Sequence, residues 1–401
     1  METTSISSNN ASFNSLKTKI NWPIASFLIS TPFLAVAGLF YLYFSDGFNL
    51  ATTIFTIFMV YASGMGITVG YHRFFSHRTF DAHPVLNFIF LFFGSSAFQG
   101  SALDWSLDHR RHHRFVDDNE HDPYSINKGF WFAHIGWLLY KQDDQLADKG
   151  EAPDLMNDPW VVFQDKHYNL IAAITCFVFP TLVASLWGDP VGGFLMAGLA
   201  RVVFVQQGTF CINSVCHLFG QRTYSTDHSA KDNWFTALFT FGEGYHNYHH
   251  EFASDYRNGI RFYDYDPSKW FIYGMSLLGL TSNLKRISKE RILKKKMAVQ
   301  EEILLEKLAK LREDREKLEI VDFSLKTINN AKEQMQKAYQ KLVDLRSQHE
   351  GVRQLESVPA AGMELKGAVK NFNKTVGEWK ATVSEVNKLI KSNRNLAYAS
   401  A

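Results

Sequence analysis

Four apolar runs, each close to the length a bilayer requires, constrain this chain more than any other feature. A helix needs about 20 residues to cross the hydrocarbon, and the runs are Trp22 to Phe44, Phe48 to Val69, Leu170 to Trp187 and Val191 to Cys211. They come as two pairs, joined by the short turns Ser45, Asp46, Gly47 and Gly188, Asp189, Pro190. The pattern predicts an all-α membrane protein of four transmembrane helices in two antiparallel hairpins. The first run is read as a retained anchor rather than a cleavable signal. A polar leader, Met1 to Asn21, precedes it, it exceeds a signal h-region in length, and another span follows almost at once. Val85 to Leu103 is also apolar but is broken by Gly94, Ser95, Ser96, Gln99 and Gly100. It is expected to pack on or partly into the membrane.

Basic residues set the expected orientation. The two hairpin turns carry no Lys or Arg. The leader has Lys17 and Lys19, the middle segment has Arg73, Arg78, Arg110, Arg111 and Arg114, and the chain is strongly basic at Lys285 to Lys296. The positive-inside rule then places both termini and the middle segment in the cytoplasm, at a bacterial inner membrane or the endoplasmic reticulum.

The 401 residues are unevenly composed, so the net charge of +2 averages two unlike parts. It says little about partners, and no nucleic-acid partner is expected. We divide the chain into the leader 1–21, a membrane domain 22–293 and a charged tail 294–401. In the tail, Leu318, Val321, Leu325, Ile328, Met335, Tyr339 and Leu342 alternate at three and four residues, with Lys332 as an interruption. A second seam runs Phe372, Val376, Trp379, Val383, Val386 and Ile390, after a break around Gly351 to Gly362. These are coiled-coil patterns. They predict an antiparallel hairpin or a self-association element.

Fifteen histidines are present, and nine fall into four sets: His72 and His77; His109, His112 and His113; His217; and His246, His249 and His250. Two sets carry His at i, i+3 and i+4, which on a helix puts three imidazoles on one face. Nine imidazoles exceed what one ion holds, so two ions sharing the set are expected. Imidazole suits Fe, Zn, Cu and Ni alike, but iron can activate dioxygen against an unreactive hydrocarbon, whereas zinc has no redox chemistry. Cys176, Cys211 and Cys216 lie in apolar or span-end sequence and form no thiolate motif. Asn213 stands four residues before His217, on the same helical face. Asp104, Asp108, Glu243 and Asp227 are available to accept from imidazole N–H groups that face away from metal. His83, His121, His134, His167, His228 and His349 have no partner at ligand spacing and are expected at interfaces or in solvent.

The motifs resemble those of the integral-membrane fatty-acyl desaturases, in particular the stearoyl/acyl-CoA Δ9 branch, over about Trp22 to Leu293. HRFFSHRTF resembles the family's HxxxxH box, DHRRHHRFVDDNEHDPYSINKGFWFAHIGWLL its first HxxHH box, NSVCHLFG its extra histidine, and GEGYHNYHHEFASDYRNG its last box. The resemblance implies four spans under a cytosolic cap holding two irons on the nine histidines, with Asn213 holding a metal-bound water. It implies O2-dependent removal of two hydrogens from a saturated acyl chain, giving a cis double bond, with electrons from outside. Tyr71, Trp105, Trp131, Trp137 and Trp234 are candidates for the wall of an apolar acyl tunnel, or for interfacial anchors, and Lys141 for a substrate contact. The chain departs from the pattern where Leu107 replaces a basic residue two positions before His109, and where Lys141 is followed by Gln142. A lipid-bound or carrier-protein-bound acyl chain therefore stays open beside acyl-CoA. No cytochrome b5-like HPGG signature is present, so the donor is expected to be a separate cytochrome b5-like or ferredoxin-like protein. The alternatives are a sibling di-iron hydroxylase or alkane oxygenase and, more distantly, a membrane metal transporter or scaffold. The last predicts polar residues lining a path through the spans, which these spans are read as lacking except near their ends.

Overall fold

The computed structural model describes residues 20–45, 47–140, 148–312, 317–349 and 359–399. They form two compact units, one running to Gln221 and resuming over His228–Arg286, the other comprising Arg222–Asp227 and the chain from Ile287.

In the first unit four helices are long and apolar enough to cross a membrane: Trp22–Phe44, Leu50–Ser76, Tyr168–Ser185 and Pro190–Leu218. The first begins with Pro23 just inside its N-terminus, where the missing N–H costs nothing. The second is capped by Asn49, whose side chain accepts from the backbone N–H of Thr52. The second and fourth helices outrun their apolar sequence by seven residues each (Val69 to Ser76, Cys211 to Leu218). Those extensions carry His72 and His217.

Over Gly66–Ser76 the second span changes its winding to a π-helix. Its backbone bonds reach five residues back, as in His77 N–H to His72 C=O at 3.1 Å. Such a turn brings residue i+5 over residue i. An α-helix, at about 100° per residue, would leave His72 and His77 on diverging faces.

The broken apolar segment is a 12-residue helix, Pro84–Ser95, packed against the second span. The two backbones meet at glycine: a Cβ on Gly66 would lie 2.4 Å from Gly94 N, and one on Gly94 would lie 2.2 Å from the ring of Tyr71. Small residues permit that approach. The chain then turns through Ser96–Ser101 into the helix Ala102–Phe115, capped by Ser101. Arg201, in the middle of the fourth span and 1 % exposed, corrects the expectation that the spans are polar only near their ends. Its guanidinium donates to the carbonyls of Ser96, Ala197 and Cys176. Gln206 donates to the carbonyl of Phe98 at 2.8 Å. Both satisfy carbonyls, four in all, and three of these (Ser96 and Phe98 in the turn, Cys176 in the third span) lie outside the fourth span's own helix.

The second unit is built on three helices, Lys289–Arg312, Leu318–His349 and Pro359–Ala399, whose apolar faces share one core. Both expected seams enter it, including Val321, Ile328, Leu342, Phe372, Trp379 and Val386. The first helix, contributing Met297, Leu304, Leu308 and Leu311, was not anticipated from the sequence. Lys332, the interruption in the seam, pairs with Glu301 of that helix at 2.7 Å.

Candidate metal centre

Three helices and one short turn of helix deliver the nine imidazoles. The second span supplies His72 and, at its end, His77. Ala102–Phe115 supplies His109, His112 and His113, the fourth span supplies His217, and His246–Glu251 supplies the last three. They separate into two groups. His72, His77, His109, His113 and His249 form one, and His112, His217, His246 and His250 the other. Within each group every histidine offers a nitrogen within 4.8 Å of all the others. The two i, i+3, i+4 triplets are each split between the groups, so neither triplet converges on a single point.

The donor set fits a cation in each group. His249 Nε2 lies 2.9 Å from His72 Nε2 and 2.8 Å from His113 Nε2. His246 Nε2 lies 3.1 Å from Nε2 of both His217 and His250. A neutral imidazole nitrogen carries either one hydrogen or one lone pair, so it cannot complete full bonds with both neighbours. His112 Nε2 is buried with no hydrogen-bond partner. A positive ion within each group would satisfy these converging lone pairs. Burial, and then the neighbouring imidazoles, hold His77, His109, His113, His246, His249 and His250 well below the usual histidine value, which keeps them neutral and able to ligate.

Three of the outward-facing nitrogens lie beside side-chain oxygens. His72 Nδ1 lies 2.9 Å from Glu243 Oε2, and His112 Nδ1 2.9 Å from Asp122 Oδ1. His217 Nδ1 lies 2.6 Å from Ser229 Oγ. Of the carboxylates considered from the sequence, only Glu243 takes this role. Asp104 is exposed beside Lys149, Asp108 faces the cavity described next, and Asp227 falls in the segment 222–227. Asp122 and Ser229 were not anticipated, since no helical spacing links them to the histidines they touch. Two of the histidines read as peripheral also sit close in: the His228 ring is 5.0 Å from that of His250, and His134 contacts Ser214 and Gln207 of the fourth span.

Both groups open onto one apolar cavity of about 520 Å3. Its wall includes His72 and His109 from the first group and His112 and His246 from the second, with Asn213 beside them. Its apolar lining includes Ile24, Phe27 and Leu28 of the first span, Phe98 and Phe210. Trp105 and Trp137 line it. Trp105 stacks on His109 at 5.0 Å, and Trp137 packs on Tyr124 at 4.9 Å, which in turn lies 4.5 Å from His112. Tyr71 is fully buried and does not line the cavity, accepting from Gln164 at 2.7 Å. Trp131 and Trp234 are 73 % and 69 % exposed and do not line the cavity. Lys141 and Gln142 lie outside the described residues.

Four helices long and apolar enough to cross a membrane, two of them carrying histidines of the two all-imidazole groups, define a membrane protein with a histidine-rich site that could hold metal. A family model for fatty acid desaturases matches residues 14–271. The chain is 44 % identical over 276 residues to the probable acyl-CoA desaturase of Schizosaccharomyces pombe, covering 69 % of this chain and 57 % of that protein. It is 43 % identical over 245 residues to acyl-CoA desaturase 1 of Saccharomyces cerevisiae, covering 61 % and 48 %. With human stearoyl-CoA desaturase 5 it shares 35 % identity over 246 residues, covering 60 % and 74 %. The protein belongs to the fatty acid desaturase family. It spans about half the length of the two fungal relatives.

Proposed function

We propose that the protein is an O2-dependent fatty-acyl desaturase that introduces a cis, Δ9-type double bond into a saturated acyl chain. The observation that carries this reading is the shared cavity, an apolar space of ligand-binding size with imidazoles of both groups in one wall. His72, His77, His109, His113 and His249 would hold one iron. His112, His217, His246 and His250 would hold the other, with Asn213 acting through a water. When bound, the irons supply the O2 activation that removing hydrogens from unreactive methylenes requires.

The protein's own part is positioning and exclusion of water. Trp105, stacked on His109, and Tyr124, packed on His112, press the cavity wall against both groups. Gln99 and Thr209 both line the cavity, and Gln99 donates to Thr209 at 3.0 Å, tying the broken segment to the fourth span. The acyl carrier is read as CoA, the carrier in the relatives' names, with a lipid-linked chain as the alternative. Electrons come from a separate cytochrome b5-like or ferredoxin-like protein. His72 and His217 stand at the C-terminal ends of the second and fourth spans, which supports all four histidine sets facing one side, the cytoplasmic side by the distribution of basic residues. Because the tail's seams are buried in its own three-helix core, any self-association through it uses the outer faces.

The test is the fatty-acid profile of a desaturase-deficient host expressing the protein, His112→Ala or His249→Ala. The expected result is cis-unsaturated product from the unaltered protein and none from either variant, with all three inserted in the membrane. Near-normal product from either variant overturns the ligand assignment.

A further inference from the structure

Of the nine clustered imidazoles, the acidic turn Asp117 to Asp122 touches two, and both belong to the four-histidine group. Asp122 is fully buried. Its Oδ1 accepts from His112 Nδ1 at 2.9 Å and from Tyr124 N at 3.1 Å, and its Oδ2 accepts from Asp117 N at 3.0 Å. Asp117 has φ +68°, in the left-handed region that Asp and Asn enter more readily than other residues with a β-carbon. Its backbone is held there from both sides, by Asp122 and by Asn127 Nδ2, which donates to Asp117 O at 2.6 Å. In this conformation its carboxylate meets Ser229. Oδ2 accepts from Ser229 N at 2.6 Å, and Oδ1 accepts from the Ser229 hydroxyl.

That last bond fixes a proton. Because the Ser229 hydroxyl donates to Asp117, its oxygen presents a lone pair to His217 Nδ1 at 2.6 Å, and His217 must donate from Nδ1. His112 likewise donates from Nδ1 to the Asp122 carboxylate. One turn therefore locks two of the four rings with the Nε2 lone pair facing inward. The five-histidine group is held by a different device, Glu243 on His72.

We propose that the turn Asp117–Asp122, acting through Ser229, is a positioning device selective for one of the two ion positions, so that metal affinity at the four-histidine group is set independently of the five-histidine group. The inference rests on the reading of both groups as iron sites. Its test uses the full-length protein in detergent, loaded anaerobically with iron(II), with iron counted per chain and each position followed by Mössbauer spectroscopy. The variants are Ser229→Ala, which removes the relay, Asp117→Asn, Ser229→Thr, which keeps a hydroxyl, and Glu243→Gln, which acts on the other group.

The expected result is two irons per unaltered chain, with one spectral component weakened about 10–100-fold in affinity by Ser229→Ala and by Asp117→Asn. Ser229→Thr should restore it, and Glu243→Gln should deplete the complementary component. The proposal is overturned if Ser229→Ala and Asp117→Asn both keep two irons with the unaltered spectrum, or if both components fall together. Unaltered protein that binds no iron overturns the proposed function itself, a result distinct from any difference among variants.

Discussion

Arg73 and Glu243 form an ion pair with both side chains buried, Nη2 and Nε reaching the same carboxylate oxygen at 2.9 and 3.2 Å. The other oxygen of Glu243 faces His72 Nδ1 and accepts from Asn258 at 2.6 Å. Arg73 also holds Asp266 at 3.0 Å and donates to the carbonyl of Tyr256 at 2.8 Å. Burial alone would raise the Glu243 carboxyl, but His72 and Arg73 outweigh it and hold it below its ordinary value. One cation thus fastens the second span to the segments around the last histidine triplet.

Arg73→Met strands two buried carboxylates. A loss of about 3–5 kcal/mol is expected, read as a large fall in the thermal midpoint of the purified protein. Arg73→Lys keeps the charge without the planar fork and should fall between the two. A midpoint unchanged in Arg73→Met would show that the network is not what joins these segments.

Gly66→Ala places a methyl 2.4 Å from Gly94 N and 2.5 Å from the carbonyl carbon of Phe93. Both neighbours are backbone, so the helices must part, at a cost of about 1–3 kcal/mol. Gly274→Ala is the matched control, because its β-carbon meets nothing within 4 Å and alanine is the better helix former. The two substitutions should move the thermal midpoint in opposite directions.

Metal-free protein should lose stability as pH falls. The six buried histidines with depressed values stay neutral in the fold, while in the unfolded chain they take up protons near 6.5. The unfolded state then binds more protons, so stability is present above about 6.5 and declines below it. Protons compete with metal for the same nitrogens, so iron should be released over the same range. Thermal melts and iron retention between pH 8 and pH 5 check this, and a midpoint that rises on acidification would contradict it.

Asp108 carries the opposite dependence. Burial first, and then the charge of Asp104, push its carboxyl up to about 7, against Arg111. The folded state therefore binds the proton more tightly than the unfolded chain, and stability is lost as pH rises from about 4 through 7. Asp108→Asn removes the penalty. It should stabilise at pH 8, by up to about 4 kcal/mol from the size of the shift, and leave stability at pH 4 nearly unchanged. A difference that does not grow with pH would show that the carboxyl is not buried in this way.

The spans and the histidine sets were legible because each is written locally, as a run of apolar residues or as a spacing of imidazoles. The first span matches its apolar run, Trp22 to Phe44, at both ends. The division of nine histidines into five and four was not legible, because it cuts across both triplets and depends on how the helices cross. The meeting of His72 with His77 depends on a change of helical winding that five-residue spacing does not announce. Asp122, Ser229 and Arg73 escaped for a related reason: each reaches its partner through tertiary structure, His112 from ten residues away, His217 from twelve and Glu243 from 170. The helix Lys289–Arg312 was hidden by charge, its apolar positions being sparse among Lys and Glu.

The most direct test of the central claim uses purified protein loaded with iron(II), a saturated acyl-CoA, an external reductant and 18O2, with the products analysed by mass spectrometry and the double bond mapped. The expected result is a cis-unsaturated acyl chain containing no 18O, with the label in water, and no product when His112 or His249 is replaced by alanine. An acyl chain carrying an 18O hydroxyl and no double bond would contradict it and identify a hydroxylase instead.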